Sequence, residues 1–111
     1  MSEDVFCERE FQILLGDEAK SFAVRWMKPV PDPRCDWSCT YSISWPHLPE
    51  KKRTIFGIDS VQALQLAMQA AATELYMSDP PVFWFEPDDI LGLPVSSAIA
   101  DLETARTKGR I

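Results

Sequence analysis

The fold is decided by residues 35–45, which read CDWSCTYSISW, because large and small side chains alternate there without interruption. The odd positions carry Cys35, Trp37, Cys39, Tyr41, Ile43 and Trp45, and the even positions carry Asp36, Ser38, Thr40, Ser42 and Ser44. Successive side chains of a β-strand point to opposite faces, so this stretch predicts a strand with one buried face and one small polar face. We expect the polar face to be open to solvent; the alternative is a flat contact with a second copy of the chain, which would make a homodimer.

Two more strands precede this one. Apolar residues favour alternate positions in residues 5–15 and again in residues 19–27, and the turn formed by Gly16, Asp17 and Glu18 joins the two strands as a hairpin. The three prolines of residues 29–34 then predict a stiff loop through which no strand ladder can run.

A shorter fourth strand is predicted over residues 51–57, after the turn of residues 46–49. It begins with Lys51, Lys52 and Arg53. In an acidic chain this basic triplet is a weak signal for nucleic acid, and charges that keep an edge strand from pairing with other chains explain it at least as well.

A helix is predicted to start after Asp59, because Asp59 and Gln62 have the spacing of a capping box. Its apolar face is expected to contain residues that recur at helical spacing, namely Val61, Leu64, Met68, Ala71, Ala72 and Leu75. The double proline after Asp79 ends the pattern, so the helix has roughly five turns.

After the helix, the aromatic residues 82–85 predict an extended segment, followed by a loop laid across the core. A short C-terminal helix is expected from Ser96, with Ile99 and Leu102 as its apolar stripe, and residues 106–110 are expected to fray. The predicted fold is α+β: a four-stranded antiparallel meander packed on one long amphipathic helix (ββββα), with an extended aromatic segment and a short C-terminal helix. Residues 1–94 are expected to form a single domain, and residues 95–111 the short helix and frayed tail.

Composition sets the class of protein. The chain has 111 residues, 46% of them hydrophobic, and a formal net charge of -6. It contains no apolar run long enough to span a bilayer, and its first residues are acidic where a signal peptide is basic, so we expect a soluble cytoplasmic protein. The negative charge argues against nucleic acid and membrane as partners and favours a protein with a basic surface; simple solubility is the alternative explanation.

No residue pattern indicates catalysis. His47 is the only histidine and has no accompanying nucleophile motif, so an ordinary loop histidine is preferred to a general base. Cys35, Cys39 and His47 are potential zinc ligands, but residues four apart on a strand are ~13 Å apart and cannot converge on one ion. We expect buried thiols, no metal, no cofactor and no enzyme activity.

The candidate binding residues are Trp84, Glu86, Asp88, Asp89 and His47. An acidic cluster beside an aromatic segment suits the docking of a basic partner, although a solvated loop has the same composition. Trp84 is the tryptophan best placed to anchor an interface or cap a pocket, and core packing is its alternative.

Part of the chain resembles a family of small uncharacterised bacterial proteins, a domain of unknown function. The resemblance covers residues 37–94 and rests on three motifs. The first is a strand with Cys39, Tyr41 and Ile43, and the last is the closing Leu91-Gly92-Leu93-Pro94. Between them lies a helix start with Gly57, Asp59, Ser60, Gln62, Ala63, Leu64, Leu66 and Ala67. It implies a shared fold and transfers no activity.

Two functions are compatible with these observations. The first is a protein-interaction domain without catalytic activity, resembling an immunity protein or antitoxin in its small size and acidity. The second is a small-molecule-binding module with a pocket between sheet and helix, rimmed by Trp84, His47 and the acidic loop.

Overall fold

The computed structural model describes residues 4–108, except for the side chains of Cys35, Thr107 and Lys108. Its strands are β1 (Val5–Leu15), β2 (Glu18–Met27), β3 (Val30–Asp32), β4 (Cys35–Ile43), β5 (Lys51–Gly57) and β6 (Val82–Phe83). Helix α1 spans Ser60–Tyr76; a 3-10 turn at Ser97–Ile99 leads into helix α2, Ala100–Lys108. The α+β class is confirmed.

The strands form one antiparallel sheet of six strands, so the predicted count of four is wrong. The four predicted strands correspond to β1, β2, β4 and β5, which are successive neighbours in the sheet. The aromatic segment contributes β6, which pairs with β1 through Gln12 and Ile13. At the far edge of the sheet lies β5 with its exposed basic triplet.

The prediction that residues 29–34 contain no strand is also wrong. Val30 pairs with Ser38 and Pro31 with Trp37, which makes β3 a short continuation of β2 along the same side of β4. A proline is tolerated in an edge strand because its nitrogen can face away from the ladder.

The apolar and polar residues of β4 lie on opposite faces, as the alternation predicts, but part of the polar face is buried as well. Cys39, Tyr41 and Ile43 are fully buried in the core. Ser38 and Ser42 are buried as well, so the expectation of a solvent-exposed polar face is wrong at these positions. In register with Ser42 lie Arg25 on one side and Lys52 on the other. A small side chain between two long ones is sheltered by its own chain and needs no second subunit.

Helix α1 begins as predicted, because the Asp59 carboxylate accepts the backbone N–H of Gln62 at 2.8 Å. Its buried face differs from the predicted stripe: Val61 is 70% exposed. The buried residues are Ala63, Ala67, Ala71, Ala72, Leu75 and Tyr76. A row of alanines lets the helix lie very close to β5, where a Cβ added to Gly57 would be 2.5 Å from the nitrogen of Ala63.

The remainder of the core is closed by the segment after β6, which buries Leu91, Leu93 and Ile99. The expected fraying is wrong at Arg106, which is helical and donates from Nη1 to the carbonyl oxygen of Val82 at 2.8 Å. Residues 109 and 110 of that predicted tail lie outside the described residues. Within residues 4–108, the helices are too short or too polar to cross a bilayer.

Candidate functional site

Asp89 organises the acidic loop from inside. Its side chain is 5% exposed. One carboxylate oxygen accepts the backbone N–H of Trp84 at 2.9 Å, and the other accepts those of Phe85 at 2.8 Å and Glu86 at 3.1 Å. Three amides aimed at one carboxylate fix the path of the chain, so Asp89 shapes the loop and does not present its charge to a partner.

Two arginines attach the loop to the rest of the molecule. The guanidinium of Arg9 donates to the carbonyl oxygens of Leu91 and Gly92, each at 3.0 Å. Arg106 donates to the carbonyl oxygen of Asp89 at 3.0 Å as well as to that of Val82. The loop is therefore held from β1 and from α2 together.

Trp84 is half-buried, with its ring in contact on several sides. The Arg9 guanidinium lies 3.9 Å from the ring centroid, and the Phe85 ring is stacked at 4.6 Å. A Cβ added to Gly92 would meet the Trp84 ring at 2.5 Å, so this glycine makes room for it. Phe85 itself is 72% exposed, and the neighbouring Glu86 and Asp88 are exposed too. The surface element is thus an exposed phenylalanine followed by two exposed acidic residues and supported by Trp84.

His47 lies in a different place. It contacts Trp45 edge-on, with ring centroids 5.6 Å apart. It lines a pocket of about 430 Å³ that also contains Trp45, Lys51, Glu74 and Asp79. Trp84 and the acidic loop do not line that pocket, so the five candidate residues fall into two sites.

A row of aromatic rings connects the two sites through the core. From Phe85 it passes to Trp84, Phe11, Phe22, Trp45 and His47, with successive centroids 4.6, 6.5, 6.3, 5.1 and 5.6 Å apart. The two ends of this row lie far apart in the sheet. His47 lies near the start of β5, and Phe85 lies next to β6 at the other end of the strand order.

Glu74 is the charged group set deepest in the His47 pocket, with a side chain that is 16% exposed. Its carboxylate accepts a hydrogen bond from the hydroxyl of the buried Tyr41 and lies 3.1 Å from the ammonium of Lys51. Burial, together with the neighbouring Glu74 carboxylate, raises the pKa of Tyr41 well above its usual value. The phenol therefore keeps its proton and remains a donor to Glu74.

The cysteines with described side chains are packing residues. Cys39 is buried, its thiol donates to the carbonyl oxygen of Met27 at 3.4 Å, and burial raises its pKa to about 11. Cys7 on β1 is also a free thiol, half-buried, and its proximity adds to the effect of burial in raising the pKa of Cys39. Among the side chains that the structure describes, which do not include that of Cys35, no group of three or more His, Cys, Asp or Glu residues could hold a metal ion.

A third surface is apolar. Phe6, Pro29, Trp37, Val61 and Leu64 line a cleft of about 370 Å³ at the N-terminal end of α1. Its walls carry little charge, which sets it apart from the two sites above.

The sequence did not reveal the two most informative residues. Phe85 belongs to an aromatic run that predicts packing, and only its place directly before Glu86 and Pro87 suggests that it lies at a turn. The helical pattern places Glu74 on the polar side of α1. Its partners Tyr41 and Lys51 are far away in the sequence, so no local pattern identifies the cluster.

The family model for a domain of unknown function, DUF6968, matches residues 7–95. The chain belongs to this family, since the match covers most of its length and includes nearly all of the sheet, helix α1 and both sites. No curated protein and no solved structure is significantly similar to the chain.

Proposed function

We propose that this member of the family is a cytoplasmic protein-interaction domain without catalytic activity, which docks a basic partner through residues 84–90. The observation that carries this proposal is Phe85, a large apolar side chain that is 72% exposed on a loop with acidic neighbours. Aromatic anchors that fill a pocket on the partner supply much of the binding energy of protein interfaces. The flanking carboxylates of Glu86 and Asp88 would meet the basic rim of such a pocket.

The loop is also preorganised for docking. The three amides on Asp89, the two carbonyls on Arg9 and the two on Arg106 hold it before any partner arrives. A surface that is already ordered loses less conformational entropy on binding, so more of the contact energy appears as affinity. Small acidic proteins that neutralise a basic partner, such as immunity proteins and antitoxins, are the class we favour.

The test compares two exposed phenylalanines. The native protein and the variants Phe85→Ala and Phe6→Ala are used to capture partners from native lysate, with mass spectrometry as the readout. Phe6 is a matched control because it is also exposed but lines the apolar cleft. We expect a specific partner that is released by salt, lost with Phe85→Ala and retained with Phe6→Ala. A partner that persists with Phe85→Ala would contradict the proposal, provided that thermal melts show both variants to be folded.

Small-molecule binding is a second candidate function, and the pocket beside His47 supports it. Its volume of about 430 Å³ is in the range of ligand sites, and it combines ring walls with charged groups. A thermal-shift screen of metabolites tests this function, because a ligand that binds only the native state raises the Tm. A flat response across the screen would count against it.

A further inference from the structure

The His47 pocket lies where several elements end. Trp45 and His47 follow β4, Lys51 begins β5, Glu74 belongs to the last turn of α1, and Asp79 follows the helix. Lys51 and Glu74 contribute to the pocket from the sheet and the helix, and the other lining residues belong to the loops that follow β4 and α1.

The charges of the pocket are predominantly negative. Glu74 is compensated by Lys51. The carboxylate of Asp79, in contrast, has neither an ion pair nor a hydrogen bond among residues 4–108. The C-terminal end of α1 adds partial negative charge from its carbonyl groups, and its last turn contains no basic residue to offset it. A positively charged group in the pocket would therefore be attracted.

The aromatic walls favour the same kind of ligand. The indole of Trp45 is fixed from behind by stacking on Phe22, with ring centroids 5.1 Å apart. His47 stands at 84° to it. The two rings form a corner that can hold an apolar body, and the indole face attracts cations.

We propose, building on the small-molecule binding proposed above, that this pocket binds a small organic cation: a primary amine joined to an aromatic or similar apolar body. The body lies against Trp45 and His47. The ammonium group points to the carboxylate of Asp79.

The chain offers a direct probe, because His47 is its only histidine. The imidazole resonance of His47 is followed by NMR while the protein is titrated with phenethylamine, with the neutral 2-phenylethanol, and with the anionic 3-phenylpropionate. We expect a saturable shift with the amine and affinities at least tenfold weaker for the alcohol and the acid.

Three single substitutions test where the ammonium group of the ligand binds. Asp79→Asn is expected to weaken amine binding at least fivefold. Glu74→Gln keeps an acceptor for Tyr41 and is expected to weaken it as well. Glu10→Gln removes an exposed carboxylate of β1 outside the pocket and should leave the affinity unchanged.

The three probes separate failure of the ligand class from failure of the pocket. If the alcohol or the acid binds as tightly as the amine, small-molecule binding stands but the preference for a cation is overturned. If none of the three produces a saturable shift, both are overturned. Equal effects of Asp79→Asn and Glu10→Gln would also overturn the site.

Discussion

Two adjacent aspartates of the acidic loop have different structural roles. Asp88 and Asp89 belong to the same acidic cluster in the sequence, yet Asp88 is exposed with a φ of 65° while Asp89 is buried under three amides. The carboxylate of Asp88 contributes surface charge, whereas that of Asp89 determines the shape of the loop.

Replacing each aspartate by asparagine separates these two roles. Asp89→Asn places an NH₂ group where amides now donate, and we expect the free energy of unfolding to fall by about 2 to 3 kcal/mol. Asp88→Asn tolerates the same backbone conformation and should change stability by less than ~0.5 kcal/mol. Urea unfolding of both variants measures the difference; equal losses would show that the amides on Asp89 contribute little.

Cys39 gives the protein a pH dependence in the alkaline range. Burial raises its pKa from 9.0 to about 11, so above pH 9 the unfolded chain releases a proton that the folded chain retains. The stability that this thiol contributes is complete below pH 9 and is lost as the pH rises through 11. We expect the free energy of unfolding to fall by roughly 2 kcal/mol more in the native protein than in Cys39→Ala over this interval. Urea midpoints measured from about pH 8 to pH 11 provide the test, and parallel curves for the two proteins would contradict it.

For single residues, the sequence predicted which side chains are buried better than it predicted what those side chains do. The alternation of residues 35–45 correctly placed Cys39, Tyr41 and Ile43 in the core. It could not show that Ser42 is sheltered, because shelter depends on Arg25 and Lys52 in neighbouring strands. The loop residues 85 and 89 were equally unpredictable, since amide partners and exposure arise from the loop's three-dimensional path.

Among the elements, the contact between α1 and β5 is very close. Gly57 ends β5, and it permits the helix start to approach to a distance at which no Cβ fits. The resemblance placed Gly57 at the head of the helix motif, and this contact supplies a physical reason for a glycine there.

Two glycine substitutions test that contact. Gly57→Ala drives a methyl group into the backbone of Ala63 and should cost about 2 to 3 kcal/mol. Gly16→Ala meets no atom within 4 Å and suffers only from its φ of +67°, which costs about 1 kcal/mol. Thermal unfolding of the two variants gives the ranking. A larger loss at Gly16 would mean that the helix can shift away from β5 at little cost.

Predictability also differed among the elements. Strands β1, β2 and β4 and helix α1 were predicted because each has a clear period and a turn or cap at its end, whereas β5 was predicted from the turn before it and its short run of Thr54, Ile55 and Phe56. The two short strands were not, since β3 and β6 contain three and two residues and are strands only through their pairing partners. Val61 was misplaced because alanines, with weak hydrophobic signals, occupy the buried face of α1.

For the whole molecule, the segment after α1 is expected to be indispensable. A chain ending at residue 81 lacks β6, the partners of Arg9 and the residues that close the core above Phe11 and Ile13. We expect it to bind hydrophobic dyes and to associate, because an apolar face and a strand edge are left open. A chain ending at residue 108 serves as the control. Light scattering and dye fluorescence give the readout, and a monomeric, cooperatively unfolding chain of residues 1–81 would contradict this expectation.

The hydrogen bonds from Arg9 to residues 82 and 83 positions later have a consequence for how the protein is made. A ribosome makes the β1–β2 hairpin well before the segment after α1 that covers it. Until then the nascent chain carries an unfinished apolar surface, however well its hairpin is formed. Completion of the domain therefore waits for synthesis of the segment after α1, and the half-made domain, more than the finished one, is the form that a chaperone would have to protect.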